Sequence, residues 1–126
     1  MFSILEKKVM QVTPNTFEDL ALEVFRFQAR ENLIFNKYLQ LLKIKVADIN
    51  TISQIPFLPV SCFKHHKIKC GDWNEETIFY SSGTTGIIKS KHLVKSLAWY
   101  ENVILKNFNE AFNHSSNYQF FGLLPG

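Results

Sequence analysis

Cysteine is scarce: Cys62 and Cys70 are the two in 126 residues. Two thiols make no disulfide framework and imply no oxidising compartment. Long apolar runs are missing as well. No stretch approaches the ~20 apolar residues needed to cross a bilayer. The opening, Met1-Phe2-Ser3-Ile4-Leu5-Glu6-Lys7-Lys8, reaches charged residues before a leader-type apolar region can form. The simplest expected location is the cytoplasm, with no membrane span. Charge of one sign is not in excess either, at +3 net. The densest basic stretch, Lys64-His65-His66-Lys67-Ile68-Lys69, reads as a solvated strand face or edge. No second basic block with stacking aromatics accompanies it, so nucleic acid is not the expected partner.

What the chain does have is apolar mass: 46% of residues are hydrophobic and 20% charged, and Phe occurs twelve times. That is enough to bury a core, and the length suits one domain or part of a larger one. Residues 13 to 42 read as helical, within a helical opening of about 13–45. Asn15 or Thr16 is placed to cap it, with Glu18 or Asp19 completing a capping box. Phe17, Leu20, Ala21, Val24, Phe25 and Gln28 share one face, and Phe35, Tyr38, Leu39 and Leu42 share a second, so a break is expected near Asn32.

The two prolines of Ile55-Pro56-Phe57-Leu58-Pro59-Val60 forbid regular helix. This segment is expected to lie extended against the core and run into a strand over Phe63 to Cys70, with a turn at Gly71-Asp72. Ile78-Phe79-Tyr80 and His92-Leu93-Val94 read as strands flanking a small-residue loop. Ser96 can cap a helix from Leu97 to about Phe112, with Leu97, Tyr100, Ile104, Phe108 and Ala111 inward. The Trp99-Tyr100 pair is expected on the core side of it. Asn113 to Asn117 reads as a polar loop and Tyr118 to Leu124 as a buried-type strand. The alternation gives an α/β fold class: helices first, then strands with flanking helices, in a strand-loop-strand-helix unit over about 55–126.

Chemistry concentrates in Ser81-Ser82-Gly83-Thr84-Thr85-Gly86, six small residues of which four carry hydroxyls. Glycines let the main chain approach a ligand, successive amides in such a turn form an anion-binding concavity, and hydroxyls add short donors. Lys89 supplies positive charge. On composition alone a Ser/Thr/Gly surface loop is an equal alternative. A Walker A loop does not fit, because Gly83 and Gly86 are three apart and Lys89 follows no glycine.

The order of residues resembles the AMP-binding signature of the acyl-adenylate-forming superfamily. Ile78, then Phe79 and Tyr80, small Ser81 and Ser82, Gly83-Thr84-Thr85-Gly86, free Ile87, apolar Ile88 and basic Lys89 meet each constrained position in turn. Ile88 stands where many members have proline, a departure the signature permits. Ile55-Pro56-Phe57-Leu58-Pro59-Val60-Ser61-Cys62-Phe63-Lys64-His65-His66 is similar to the stretch preceding the loop in acyl-protein synthetases of the bacterial bioluminescence (LuxE) type. The helical opening, Ser90-Lys91-His92 and Leu123-Leu124-Pro125 also look like that family.

The resemblance implies an ATP-dependent ligase with Mg²⁺. A fatty or other carboxylic acid becomes acyl-AMP and then passes to a thiol, a protein cysteine or coenzyme A. Ser81, Ser82, Gly83, Thr84, Thr85, Gly86 and Lys89 would form the nucleotide-binding loop. It implies further that residues 1–126 are the N-terminal portion of a longer adenylate-forming domain, inactive alone, since the ribose-gripping acid, the adenylate motif and the lid lysine have no counterpart here. Neither Cys62 nor Cys70 corresponds to the family's acceptor cysteine. A phenylacetate-type acyl-CoA ligase and a non-catalytic nucleotide-binding module are the alternative readings. Cys62, His65, His66 and Cys70 fit no paired zinc-ligand spacing. His92 reads as a packed or solvent-facing residue, and Glu75-Glu76 as part of a polar turn.

Overall fold

Asn32 divides the helical opening in two. In a computed structural model of the chain, α1 spans Phe2–Met10, α2 Phe17–Glu31 and α3 Leu33–Leu41. The structure describes residues 2–81, 88–112 and 115–119. Asn32 leaves helical geometry (φ −97°, ψ 104°), and its buried Oδ1 accepts from the amides of Ile34 (3.2 Å) and Phe35 (3.1 Å). Its own amide donates to the Gln28 carbonyl at 2.9 Å. One residue therefore closes α2 and opens α3, and the expected break falls where the sequence places it. Two further carbonyls at the end of α2 are taken up at a distance in sequence. Asn36 Nδ2 donates to Ala29 O at 2.8 Å, and the Gly71 amide donates to Glu31 O at 2.9 Å. Gly71 sits at φ 76°, which glycine adopts without a Cβ clash.

Leu22, Phe25 and Ala29 of α2 pack with Phe35 and Leu39 of α3 and with Ile49 to form the buried core. The Phe25 and Phe35 rings meet edge to face, with centroids 6.0 Å apart. The predicted stripe from Phe17 to Gln28 is only partly this core. Phe25 belongs to both, while Phe17 is exposed and Leu20, Ala21 and Val24 are half-buried beside an open cavity. Helix α2 thus carries a broad apolar surface, one edge packed and the other lining space.

Several expectations are corrected. Helix α1 has no counterpart in the sequence reading; Lys8 on it pairs with Glu23 of α2 at 2.7 Å. Thr16 is the N-cap of α2 but forms no capping box, since its Oγ1 turns back to accept from the Thr13 amide at 3.0 Å. The strand expected over Phe63 to Cys70 is absent. A short helix, α4, occupies Cys62–His65. The amides of Cys62, Phe63 and Lys64 bond the carbonyls of Pro59, Val60 and Ser61, which winds the chain before any ladder can form. Upstream, Ile55 and Leu58 pack against the core as expected, whereas Phe57 and Val60 face outward.

Strand β1, Thr77–Tyr80, pairs antiparallel with β2, Lys91–Val94, in the register Thr77↔Val94 to Tyr80↔Lys91. The described residues hold this one two-stranded sheet, so the coarse mixture of helix and strand stands.

The chain divides into two units, Met1–Lys95 and Ser96–Gly126. In the second, α5 spans Leu97–Phe112, and Ser96 Oγ caps it by accepting from the Trp99 amide at 3.2 Å. The expected inward face is corrected: no α5 residue is buried, Tyr100 and Ile104 are exposed, and Trp99 is half-buried. Phe108, Phe112 and Tyr118 form an aromatic cluster with centroids 5.1 to 6.4 Å apart. Ser115–Asn117 is a 3-10 turn where a polar loop was expected, and Tyr118 and Gln119 are not in a strand. The remainder of that expected strand lies outside the described residues.

Candidate functional site

Strands β1 and β2 bracket the small-residue stretch that the sequence singles out. Alternating β-prone side chains in Thr77-Ile78-Phe79-Tyr80 form the first strand, and the ladder continues one step past it. The Ser81 amide donates to Ser90 O at 3.1 Å, and the Ser90 amide donates to Ser81 Oγ, also at 3.1 Å. Ser90 is buried, with 5% of its surface accessible. At the other end of the ladder the Glu76 amide donates to Val94 O at 2.9 Å. The loop is thereby held by its neck, with Ser81 entering and Ser90 leaving in fixed register.

Of the predicted site residues, the structure positions two. Ser81 sits at the neck, and its oxygen serves as an acceptor inside the hairpin. Lys89 lies on the exit side, exposed, one residue before the buried Ser90. Ser82, Gly83, Thr84, Thr85 and Gly86 lie outside the described residues. What is established is therefore the frame: a strand-loop-strand hairpin whose ends are pinned, with a cation at its exit.

Helix α4 meets this hairpin. The Phe63 ring stacks on the His92 imidazole with centroids 5.0 Å apart and planes 27° apart. His92 is thus a packed, partly solvent-facing residue, one of the sequence-based readings of it. Sequence reasoning did not find the Phe63–His92 contact, because it assigned Phe63 to a strand.

In the basic stretch Lys67 and Lys69 meet individual partners, and the stretch forms no strand edge. Lys69 Nζ donates to Trp73 O at 2.7 Å, approaches Asp72 at 3.4 Å and lies over the Trp73 ring at 5.3 Å. Lys67 approaches Glu75 at 3.9 Å. Such surface pairs stabilise by at most about 1 kcal/mol. Burial pushes the Cys70 thiol above its ordinary value, and the Glu31 carboxylate adds to the rise. A thiol so placed is a weak nucleophile at neutral pH. Among the described residues, no group of three or more His, Cys, Asp or Glu could hold a metal ion. Among them too, no helix is long and apolar enough to cross a membrane.

An open cavity of about 550 Å³ lies beside α2 in the first unit and is lined almost wholly by apolar side chains. Comparison with known proteins returns nothing: no protein-family model, curated protein or solved structure matches this chain.

Proposed function

We propose that this chain contributes the ATP-phosphate-binding loop of an ATP-dependent acid–thiol ligase of the acyl-protein synthetase type. The observation that carries the reading is the hairpin neck. A loop rich in glycine and hydroxyl groups, in the order of the adenylate-forming signature, is pinned between Ser81 and Ser90 with Lys89 at its exit. An anion-binding turn benefits from such a frame, because amides aimed at phosphate help only when their directions are fixed in advance.

In the proposed reaction a carboxylate oxygen attacks the α-phosphorus of ATP. The bond to the bridging oxygen breaks, and pyrophosphate leaves with the electron pair. A thiolate then attacks the acyl carbon, and AMP departs. The cost of the first step lies in charge gathering on pyrophosphate. Hydroxyls of Ser82, Thr84 and Thr85 would donate to those oxygens. Gly83 and Gly86 would let the main chain close around them, and Lys89 would oppose their charge. Magnesium would enter with the nucleotide, since Mg²⁺ uses substrate phosphates and few protein ligands.

The test is ATP–pyrophosphate exchange in the complete gene product that carries this segment. Thr84→Val with Thr85→Val, or Lys89→Ala, should lower exchange about 10²-fold or more, as loss of a transition-state donor does elsewhere. Exchange unchanged in both variants would overturn the reading.

A further inference from the structure

Two stretches that the sequence singles out separately meet in one contact. Phe63 belongs to the proline-led segment and its short helix, His92 to the run that follows the small-residue loop, and their rings stack with centroids 5.0 Å apart. Each side of the contact is anchored. On the α4 side, the amides of Cys62, Phe63 and Lys64 bond back to Pro59, Val60 and Ser61, and Leu58 just upstream packs against the α2–α3 core. On the β2 side, His92 lies opposite Phe79, and the ladder runs on to Ser90, whose amide and carbonyl both engage Ser81. Alternation along the strand puts His92 on the same face as Ser90, which is buried. No residue of β1 or β2 belongs to the buried core or to the half-buried shell packed on it. Ladder bonds therefore set the two strands against each other but not against the rest of their unit. Helix α4, packed on β2, adds that second constraint.

We propose that Phe63 and His92 are a positioning pair: their stack seats β2 on α4 and thereby fixes where Ser90 and Lys89 stand, on the exit side of the proposed phosphate loop. The pair acts through those two residues. Lys89 is three residues from His92, about 10 Å along an extended chain. Stacked rings suit the task because they favour a defined offset and separation, whereas aliphatic contact has no direction. A cation helps a leaving pyrophosphate only where it is held in place beforehand, and a displacement of about 1 Å can cost about 10²-fold in rate. This inference rests on the ligase reading for what Lys89 does, but the seating of β2 requires no nucleotide.

The first measurement is amide hydrogen exchange in the 126-residue chain. His92→Ala and Phe63→Leu should each speed hydrogen exchange at Ser90 several-fold, with the amides of α2 and α3 unchanged. The double variant should be no faster than either single one, since both remove the same contact. His92→Tyr keeps a ring on β2 and should restore the original protection. The second measurement is ATP–pyrophosphate exchange in the complete gene product. There His92→Ala and Phe63→Leu should each lower the rate at saturating ATP about 10-fold, and His92→Tyr should recover it. Unaltered protection of Ser90 in both single variants, additive effects in the double, or no recovery with His92→Tyr overturns the proposal. So does acceleration in α2 and α3 equal to that at Ser90, which would make the contact a general support of the fold. ATP–pyrophosphate exchange untouched by His92→Ala overturns it as well. The two readings fail separately. A complete gene product without ATP–pyrophosphate exchange in any form sinks the ligase reading alone, while protection at Ser90 still decides the seating of β2.

Discussion

The α2–α3 elbow and the β1–β2 hairpin are held by different forces. At the elbow, Leu22, Phe25, Ala29, Phe35, Leu39 and Ile49 bury their side chains, and Asn32 satisfies both helix ends. The hairpin contributes no apolar residue to that core and relies on backbone ladder bonds with the Ser81–Ser90 clamp. Apolar burial stabilises without direction, whereas hydrogen bonds fix direction but contribute about 1 kcal/mol each. The stretch 82–89 is therefore bracketed by strands whose pairing is set bond by bond.

Substitutions should separate the two regions. Phe25→Ala removes the ring at the centre of the core and should cost about 3–5 kcal/mol, a large part of a domain's stability, read by urea denaturation. Asn32→Ala removes the acceptor for two buried amides and should cost about 1–2 kcal/mol. Thermal melting would show a fall of several degrees. Ser81→Ala strips the acceptor from the Ser90 amide and should cost about 1 kcal/mol locally. Amide exchange should accelerate at Ser90 and along the hairpin, with α2 and α3 unchanged; equal acceleration in both would show that the two regions are one cooperative unit. Lys43→Gly runs the other way. Lys43 holds φ 56° at the end of α3, where the Ile44 amide reaches Leu39 O and the Lys43 amide reaches Gln40 O, both at 3.0 Å. Glycine fits that left-handed cap better, so a gain of about 0.5–1 kcal/mol is expected in the melting curve.

The same contrast explains what the sequence allowed to be read. Helices α2, α3 and α5 were legible because their caps and three-and-four spacing are local, and Asn32 and Ser96 occupy the predicted boundaries. The hairpin was legible because two short β-prone runs flank a cluster of small residues. Phe63 to Cys70 was misread because lysine and apolar residues there mimic alternation. What decides the conformation is a set of turn bonds from Pro59, Val60 and Ser61, which no side-chain pattern announces. Helix α1 carries no cap signal of that kind, and its tie to α2 is the non-local Lys8–Glu23 pair. Which edge of α2 is packed and which lines the cavity depends on the angle at which Asn32 sets α3 and on Ile49, which is distant in sequence. At the candidate site the motif order was visible in the residues themselves, whereas the Ser81–Ser90 clamp and the Phe63–His92 stack are facts of pairing and packing.

The pinned neck makes the hairpin a socket. The Ser81–Ser90 bonds carry the register one step past Tyr80↔Lys91, so the pairing of β1 with β2 is closed by bonds of its own. Lengthening such a turn is inexpensive, about 0.6 kcal/mol for each doubling. Segments of other lengths could be joined between Ser81 and Ser90 while Thr77 still faces Val94 and Tyr80 still faces Lys91.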